Sequence, residues 1–432
     1  MNARFHILIV GAGPAGIAAA VRASESGAKV AIIDDNPAPG GQIWRRGAPQ
    51  LTTARRWFRR FEAATVERLQ GWRVFDAPEP GLLLAERSGL APEAASCTEL
   101  RYDKLILATG ARERFLPFPG WTLPNVMGTG GLDALVRGGL PIEGKRVLVA
   151  GSGPLLLAVA AELAERGAHV VGVFEQAPLP RLLSFGLHLS GQPAKLIQGF
   201  RLRLATRGVP IFTGCWPVAA HGAGKLGSVT VRRGTRQWQI PCDYLACGFH
   251  LVPNLELPML LGCRVEDGFV STDDFQSTST PNVYCAGEPT GIGGVERALI
   301  EGEIAGLAAA GQLDEARNLR RTHRATNKFV RALQQAFALE PRLRELPEPD
   351  TVVCRCEDVP FAALREHHSW RDAKLLTRCG MGPCQARICG AATAFLFGWA
   401  QDSVRPPLLP ARIASLSACG AAQSNPPGKD AL

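Results

Sequence analysis

Five of the chain's twelve cysteines lie between Cys354 and Cys389. Cys354-Arg355-Cys356 forms a Cys-x-Cys pair, and Cys379, Cys384 and Cys389 follow within Thr377 to Gly390. Four thiolates gathered at one place suit zinc or an iron–sulfur cluster, since both are soft, thiophilic centres. Zinc ribbons usually bring Cys-x2-4-Cys pairs, so the leading Cys-x-Cys favours iron–sulfur. Cys379 and Cys389 each stand five positions from Cys384, on opposite sides. Spacing therefore leaves open which of them completes a set with Cys354, Cys356 and Cys384. The remaining seven cysteines are scattered and are expected to be structural. Cys242 and Cys247 in particular lie an odd number of residues apart on an expected strand, which points them to opposite faces.

A second group of residues could hold phosphate. Gly11-Ala12-Gly13-Pro14-Ala15-Gly16 is a Gly-x-Gly-x-x-Gly turn. In the right setting, Gly11 permits the tight turn and Gly13 lets the backbone approach a pyrophosphate. Gly16 allows close helix–strand packing, and the helix opening at Pro14 and Ala15 offers N–H groups and a positive dipole end. An acid about 20 residues on should bond a ribose. Asp34 stands 23 residues past Gly11, and Asp35 is its neighbour and rival.

A similar turn recurs 140 residues later as Gly151-Ser152-Gly153-Pro154-Leu155-Leu156. Its third glycine is replaced by Leu156, whose side chain opposes the close packing that glycine permits. Glu175 follows 24 residues after Gly151, one more than the first spacing. Intact NAD(P) binding is not expected there, and Leu156→Gly is expected to matter little.

The elements around these residues supply the context the motif requires. Phe5 to Val10 is an apolar strand leading into the first turn, and a small-residue helix follows through Ala20. Lys29 to Ile33 is a second strand ending in Asp34-Asp35. Around the second turn, Val147 to Ala150 and His169 to Phe174 are strands, with a Leu/Ala-rich helix between them. Two βαβ openings imply a duplicated, doubly wound α/β architecture. Thr280-Pro281-Asn282 introduces a further strand ending at Gly287-Glu288. A basic helical stretch runs from about Gln312 to Glu345 and is broken at Pro347-Glu348-Pro349.

Composition narrows the class. The 432 residues suggest two or three domains. Apolar residues make up 46% and charged residues 20%, as in ordinary globular proteins. No run approaches the roughly 20 apolar residues of a transmembrane segment, and Ile7 to Val10 is too short for a signal-peptide core. The +9 net charge is concentrated at Arg55, Arg56, Arg59 and Arg60 and again from Arg317 to Arg331. Both stretches read as solvated helix faces. No nucleic-acid-binding motif accompanies them, so nucleic acid is not an expected partner.

The first turn with Asp34, the segment Pro39-Gly40-Gly41-Gln42, the strand end Ala108-Thr109-Gly110 and the segment Thr280 to Glu288 resemble the two-dinucleotide-domain flavoprotein reductases. The resemblance implies FAD, with Gly41 and Gln42 near the flavin. Thr109 and Gly110 would close the first FAD segment, and Gly287 and Glu288 would hold the ribityl chain. That last motif usually ends Gly-Asp; the extra methylene of Glu288 keeps the acceptor and changes its reach. No Cys-x-x-Cys of the disulfide reductases lies near the first FAD segment. The cysteine segment resembles the bacterioferritin-associated-ferredoxin-like [2Fe–2S] module. By that resemblance the ligands are Cys354, Cys356, Cys384 and Cys389, and Cys379 is surplus.

Taken together, these segments resemble one group: the FAD-containing subunits of opine oxidases, hydrogen cyanide synthase and D-hydroxyproline or other proline-type dehydrogenases. The fold implied is α/β: two Rossmann-like dinucleotide-binding domains and a small C-terminal α-rich [2Fe–2S] module. The expected divisions are a first FAD segment over 1–116, a degenerate second Rossmann domain over 117–250 and a second FAD segment over 251–312. A helical connector at 313–349, the cluster module at 350–405 and an irregular tail at 406–432 complete the chain. The function implied is electron transfer within an amino-acid or opine dehydrogenase acting on CH–NH or CH–NH2 donors. The amine is oxidised on a partner flavin subunit resembling D-amino-acid oxidase. Relatives sometimes add a small [2Fe–2S] subunit or FMN at a subunit interface. The location implied is cytoplasmic, reaching the inner face of a membrane only through partners. No catalytic acid–base constellation is legible, and an electron-transfer subunit needs none. The alternative is a stand-alone NAD(P)H-dependent flavoprotein reductase passing electrons to an iron–sulfur cluster.

Overall fold

The computed structural model describes residues 2–44, 52–88, 97–189, 193–401 and 403–423. The chain divides into two compact units. One comprises residues 1–111, 253–327 and 403–432, and the other comprises 112–252 and 328–402.

The first unit is built on strands β1 (Asn2–Val10), β2 (Val30–Asp34), β3 (Val66–Gln70), β4 (Trp72–Glu79), β5 (Leu82–Arg87) and β6 (Cys97–Leu107). Their order is β3-β2-β1-β6-β5-β4, and the strand Val283–Cys285 also pairs with β6. The pairs β1–β2, β1–β6, β2–β3 and Val283–Cys285 with β6 are parallel. Helix α1 (Pro14–Ser24) joins β1 to β2. Its buried face is almost entirely small (Ala15, Gly16, Ala18, Ala19, Ala20), so neighbouring backbones approach closely. A Cβ on Gly302 would fall 2.2 Å from the Ala15 carbonyl oxygen, and one on Gly306 2.4 Å from that of Ala19. The helix Gly294–Ala309 therefore crosses α1 at glycine distance, which fixes the loop before it over the first turn of α1.

The registers place the functional segments. Val10 pairs with Ile33 of β2 and with Leu107 of β6, and Cys285 pairs with Leu107. The strands that lead into Gly11, Asp34, Ala108 and Gly287 thus end side by side. Ligands of open parallel sheets bind outside such carboxyl ends.

The second unit has its own parallel sheet. Its strands, in order, are Ile211–Thr213, His169–Glu175, Arg146–Ser152, Tyr244–Phe249 and Val126–Met127. An antiparallel sheet of Cys215–His221, Ser228–Arg233 and Arg236–Pro241 accompanies it. The cysteine segment, in this same unit, forms a short hairpin of Val352–Cys354 with Val359–Pro360. The helices Phe361–Arg365, Trp370–Thr377 and Cys389–Phe397 follow.

Two features depart from expectation. The tail contains a helix, Ile413–Gln423, where proline-rich sequence suggests irregular chain. Cys419 on that helix forms a disulfide with Cys97 on β6, so these two of the scattered cysteines are paired. The prolines that suggested irregularity, Pro406, Pro407 and Pro410, precede the helix. Pro426 and Pro427 lie outside the described residues.

Candidate functional site

The first glycine turn is a cradle that only glycine can line. At Gly11 (φ +104°) a Cβ would meet the Ala108 carbonyl oxygen at 2.2 Å, and at Gly16 it would meet that of Gly11 at 1.8 Å. The segment Pro39 to Gln42 folds onto the turn through the Gly40 N–H, which donates to the Ala12 carbonyl at 2.7 Å. A Cβ on Gly41 (φ +58°) would fall 2.9 Å from Gly13 Cα. Two bare glycine backbones therefore face each other beside the N-terminus of α1. This groove suits a pyrophosphate, which needs backbone N–H groups and no intervening side chain.

Asp34 is buried, and its carboxylate accepts from the Ala12 N–H at 2.5 Å and the Asn36 N–H at 2.8 Å. It orients the turn from the end of β2. Asp35 and Gln42 are exposed. Thr109 is locked to Asn254 by two reciprocal bonds: its hydroxyl donates to the Asn254 carbonyl, and Asn254 Nδ2 donates to the Thr109 carbonyl, both at 2.8 Å. Asn254 is absent from the sequence-based set, because no motif flags a lone Asn in a loop.

Glu288 is turned toward the helix it precedes. Its carboxylate accepts from the N–H groups of Gly293 (3.2 Å) and Gly294 (3.0 Å). Burial pushes it up to about 7, against the pull of those donors. Gly287 (φ +86°) lies against α1, where a Cβ would meet that of Ala15 at 3.0 Å. Sequence reasoning missed the brace beneath this loop. Glu301, fully buried, accepts from the Gly287 N–H (2.8 Å) and the Thr290 hydroxyl (2.7 Å). It also pairs with Arg297 at 2.8 Å and His323 at 2.9 Å. The i,i+4 spacing of Arg297 and Glu301 was the available signal.

The second glycine turn has a different shape. Its strand runs on through Ser152 and its helix starts only at Leu155, so relative to the glycines the helix opens one residue later than in the first turn. Gly153 has φ +106°, whereas its counterpart Gly13 has φ −76°. Leu156 fits because the turn has been rebuilt around it, and it is 1% exposed in a core with Leu132, Val147 and Leu163. The expectation that Leu156→Gly matters little is therefore corrected for stability. That substitution is expected to cost about 2–5 kcal/mol for the lost core side chain, plus about 1 kcal/mol for helical glycine. Denaturant unfolding measures the loss.

Glu175 braces this turn much as Asp34 braces the first, accepting from the N–H groups of Gly153 and Ala177, both at 2.8 Å. Beside it, Gln176 is fully buried and donates to Ser152 Oγ at 3.0 Å and the Ala338 carbonyl at 3.3 Å. Its own carbonyl accepts the Glu340 N–H at 3.0 Å, and Ser152 Oγ donates to the Phe337 carbonyl at 3.1 Å. The chain's own Phe337 to Glu340 thus lies across the glycine turn and the end of its second strand. In a nucleotide-binding unit, an adenosine ribose meets those residues.

Burial pushes Glu175 up to about 7 from 4.5, against the pull of its backbone donors. A folded value above the unfolded one means the native state holds the extra proton between them. The associated stability is present below about 4.5 and lost as pH rises through about 7. Glu175→Gln is expected to remove roughly 3 kcal/mol of this pH dependence, measured as unfolding free energy between pH about 5 and 8.

In the cysteine module, Cys354 ends its strand, Cys379 follows the helix Trp370–Thr377 and Cys389 opens the next helix. The Sγ atoms of these three buried cysteines all lie within 4.8 Å of one another. The Cys379 and Cys389 thiols donate to Cys354 and hold it down at about 2, and the Gly380 N–H adds a bond to its sulfur at 3.4 Å. Cys356 and Cys384 hydrogen-bond to each other. Gly382 is required for this convergence, because a Cβ there would fall 2.2 Å from that of Cys356. Of the four expected ligands, the structure thus brings Cys354 and Cys389 together with Cys379, and sets Cys356 and Cys384 beside each other as a second pair. A donor set made only of thiols, closed around glycines, fits a thiophilic iron–sulfur cluster.

Among the described residues, no helix is long and apolar enough to cross a membrane. Residues 5–302 match the pyridine nucleotide-disulphide oxidoreductase family. The chain is 31% identical to hydrogen cyanide synthase subunit HcnB of Pseudomonas aeruginosa, over 92% of each chain. It is 32% identical to one of the subunits of the opine oxidase of Rhizobium meliloti, over 95% of this chain and 98% of the relative. In solved structures, L-proline dehydrogenase from P. horikoshii shares the fold with a TM-score of 0.70 at 17% identity, covering 96% of this chain and 80% of that one.

Proposed function

Because the chain belongs to the pyridine nucleotide-disulphide oxidoreductase family, whose members are FAD-dependent oxidoreductases, we propose that it is the FAD- and [2Fe–2S]-carrying electron-transfer subunit of a multi-subunit amine dehydrogenase. The observation that carries this reading is the contrast between the two glycine turns. The first is a bare-backbone cradle fitted to FAD. The second is rebuilt around Leu156 and covered by Phe337 to Glu340. Without nicotinamide as donor, electrons must come from another flavin-bearing protein. The similarity to proteins named as subunits of hydrogen cyanide synthase and opine oxidase supports such a partner.

In this reading Gly11, Gly13, Gly16 and Gly41 admit the pyrophosphate. Asp34 fixes the adenosine side of the site, with Asp35 its exposed neighbour. Thr109 and Gly110, tied to Asn254, shape the wall beside the flavin, to which Gln42 is adjacent. Gly287 and Glu288, braced by Glu301, face the ribityl side. Cys354, Cys356, Cys384 and Cys389 ligate the cluster. When bound, FAD supplies two-electron acceptance and the cluster one-electron transfer. The substrate is a secondary amine or amino acid, oxidised on a partner subunit resembling D-amino-acid oxidase. A small [2Fe–2S] subunit and an interface FMN would complete the assembly.

Purification of the tagged chain from its native host tests this reading. The expected result is a co-purifying second flavoprotein and amine-dependent dye reduction that the chain alone lacks. A chain that purifies alone and reduces acceptors with NADH contradicts it, favouring the stand-alone reductase.

A further inference from the structure

We propose that Cys379 is a reserve ligand of the cluster, a fifth thiol, itself buried, able to replace Cys389 beside Cys354. The inference rests on the [2Fe–2S] reading of the module. Such a cluster takes four cysteine ligands, two on each iron. The five thiols divide unevenly between the two places. Cys356 and Cys384 engage each other as a pair, enough for one iron. Cys354, Cys379 and Cys389 form a trio with all sulfurs within 4.8 Å, one more than the second iron needs. Cys354 is common to both choices, since the other two thiols both bond to its sulfur. Cys379 and Cys389 therefore compete for a single position.

The backbone favours Cys389 as the resident. It opens the nine-residue helix Cys389–Phe397, at the positive end of that helix's dipole. Cys379 arrives from a different element. It follows Arg378, whose left-handed backbone (φ +64°) ends the helix Trp370–Thr377 and turns the chain inward. Its N–H is held by the Thr377 hydroxyl at 3.2 Å, and its side chain is fully buried. A thiol there is shielded from solvent, and its sulfur lies beside the other two of the trio. In the exchange, the Cys379 S–H proton passes to the departing Cys389 sulfur as one Fe–S bond forms and the other breaks. No electron is transferred.

The test compares iron content, sulfide content and the visible and EPR spectra of the full chain in four forms: wild type, Cys379→Ala, Cys389→Ala and the double variant. FAD content reports correct folding of the rest. Alanine is used because a serine oxygen could itself ligate iron. The expected result is about two irons per chain with an unchanged spectrum in Cys379→Ala. Cys389→Ala should keep its iron with a shifted spectrum, and the double variant should lose it. Iron-free Cys389→Ala with FAD intact overturns the proposal, and so does iron-free Cys379→Ala, which would make that residue obligatory. Should Cys389→Ala fail to fold, iron release to a chelator decides, expected to be several-fold faster from Cys379→Ala than from wild type. Equal rates overturn the proposal. Wild-type protein holding zinc or no iron removes the cluster reading and this inference together. Wild-type iron with adverse variants sinks only the inference.

Discussion

Gly16→Val is expected to yield a folded second unit and a chain that no longer retains FAD. The position has no room for a side chain, since the first added carbon would lie 1.8 Å from the Gly11 carbonyl oxygen. The Gly11 backbone cannot retreat. Its N–H is bonded to the Ile33 carbonyl at 2.8 Å, and a Cβ on Gly11 itself would lie 2.2 Å from the Ala108 carbonyl oxygen. The turn must therefore open, and the facing glycines Gly13 and Gly41 separate. Overpacking of this kind costs about 1–3 kcal/mol or more, equivalent to roughly 10- to 100-fold weaker FAD binding. The ratio of flavin to protein absorbance after purification, followed by titration with FAD, measures it. Flavin retention at the wild-type level would contradict the assignment of this turn. The second turn shows what accommodating a large residue requires: a helix that opens one residue later relative to the glycines, and Gly153 in the left-handed region. The first turn has neither.

Cys354→Ala is expected to remove the cluster entirely while leaving FAD in place. Cys354 is the thiol to which both Cys379 and Cys389 donate, and the Gly380 N–H also points at its sulfur. Cys356 and Cys384 are engaged with each other, and Cys379 and Cys389 both converge on the Cys354 sulfur and compete for the one position beside it, so neither takes its place. Iron should fall from about two per chain to none. The cysteine module should also lose stability, since metal binding to a site absent from the unfolded chain is folding free energy. Iron analysis and flavin content on the same sample make the measurement. Persistence of iron would contradict the ligand role of Cys354, and simultaneous loss of FAD would point to a general folding defect.

Much of the site was legible in sequence because its chemistry is local. Gly11, Gly13, Gly16 and Asp34 sit at fixed spacings dictated by one strand, one turn and one helix, and the two Rossmann-like sheets followed from the same pattern. Thr109 and Gly287 come from distant segments, yet each carries a short motif that the sheet register brings beside Val10. The cysteine segment was legible as a thiophilic site because five thiols crowd into 36 residues of a chain whose remaining cysteines are scattered. What stayed hidden depends on tertiary contact. Asn254 reaches Thr109, and His323 reaches Glu301, across long stretches of chain that no spacing rule links. Leu156 could be read as damage to a motif, but its place in a packed core could not. The covering of the second turn by Phe337 to Glu340 is made by backbone carbonyls and N–H groups, which carry no residue signature. The disulfide between Cys97 and Cys419 joins positions 322 residues apart, and neither cysteine has a neighbour in sequence that suggests it.

The central claim is that this chain relays electrons and does not draw them from nicotinamide. Anaerobic titration of the isolated, FAD-loaded chain with NADH and with NADPH tests it most directly. The account predicts that the flavin absorbance stays unchanged and that neither nucleotide binds in the micromolar range. Rapid bleaching of the flavin, with a micromolar Kd for either nucleotide, would contradict it.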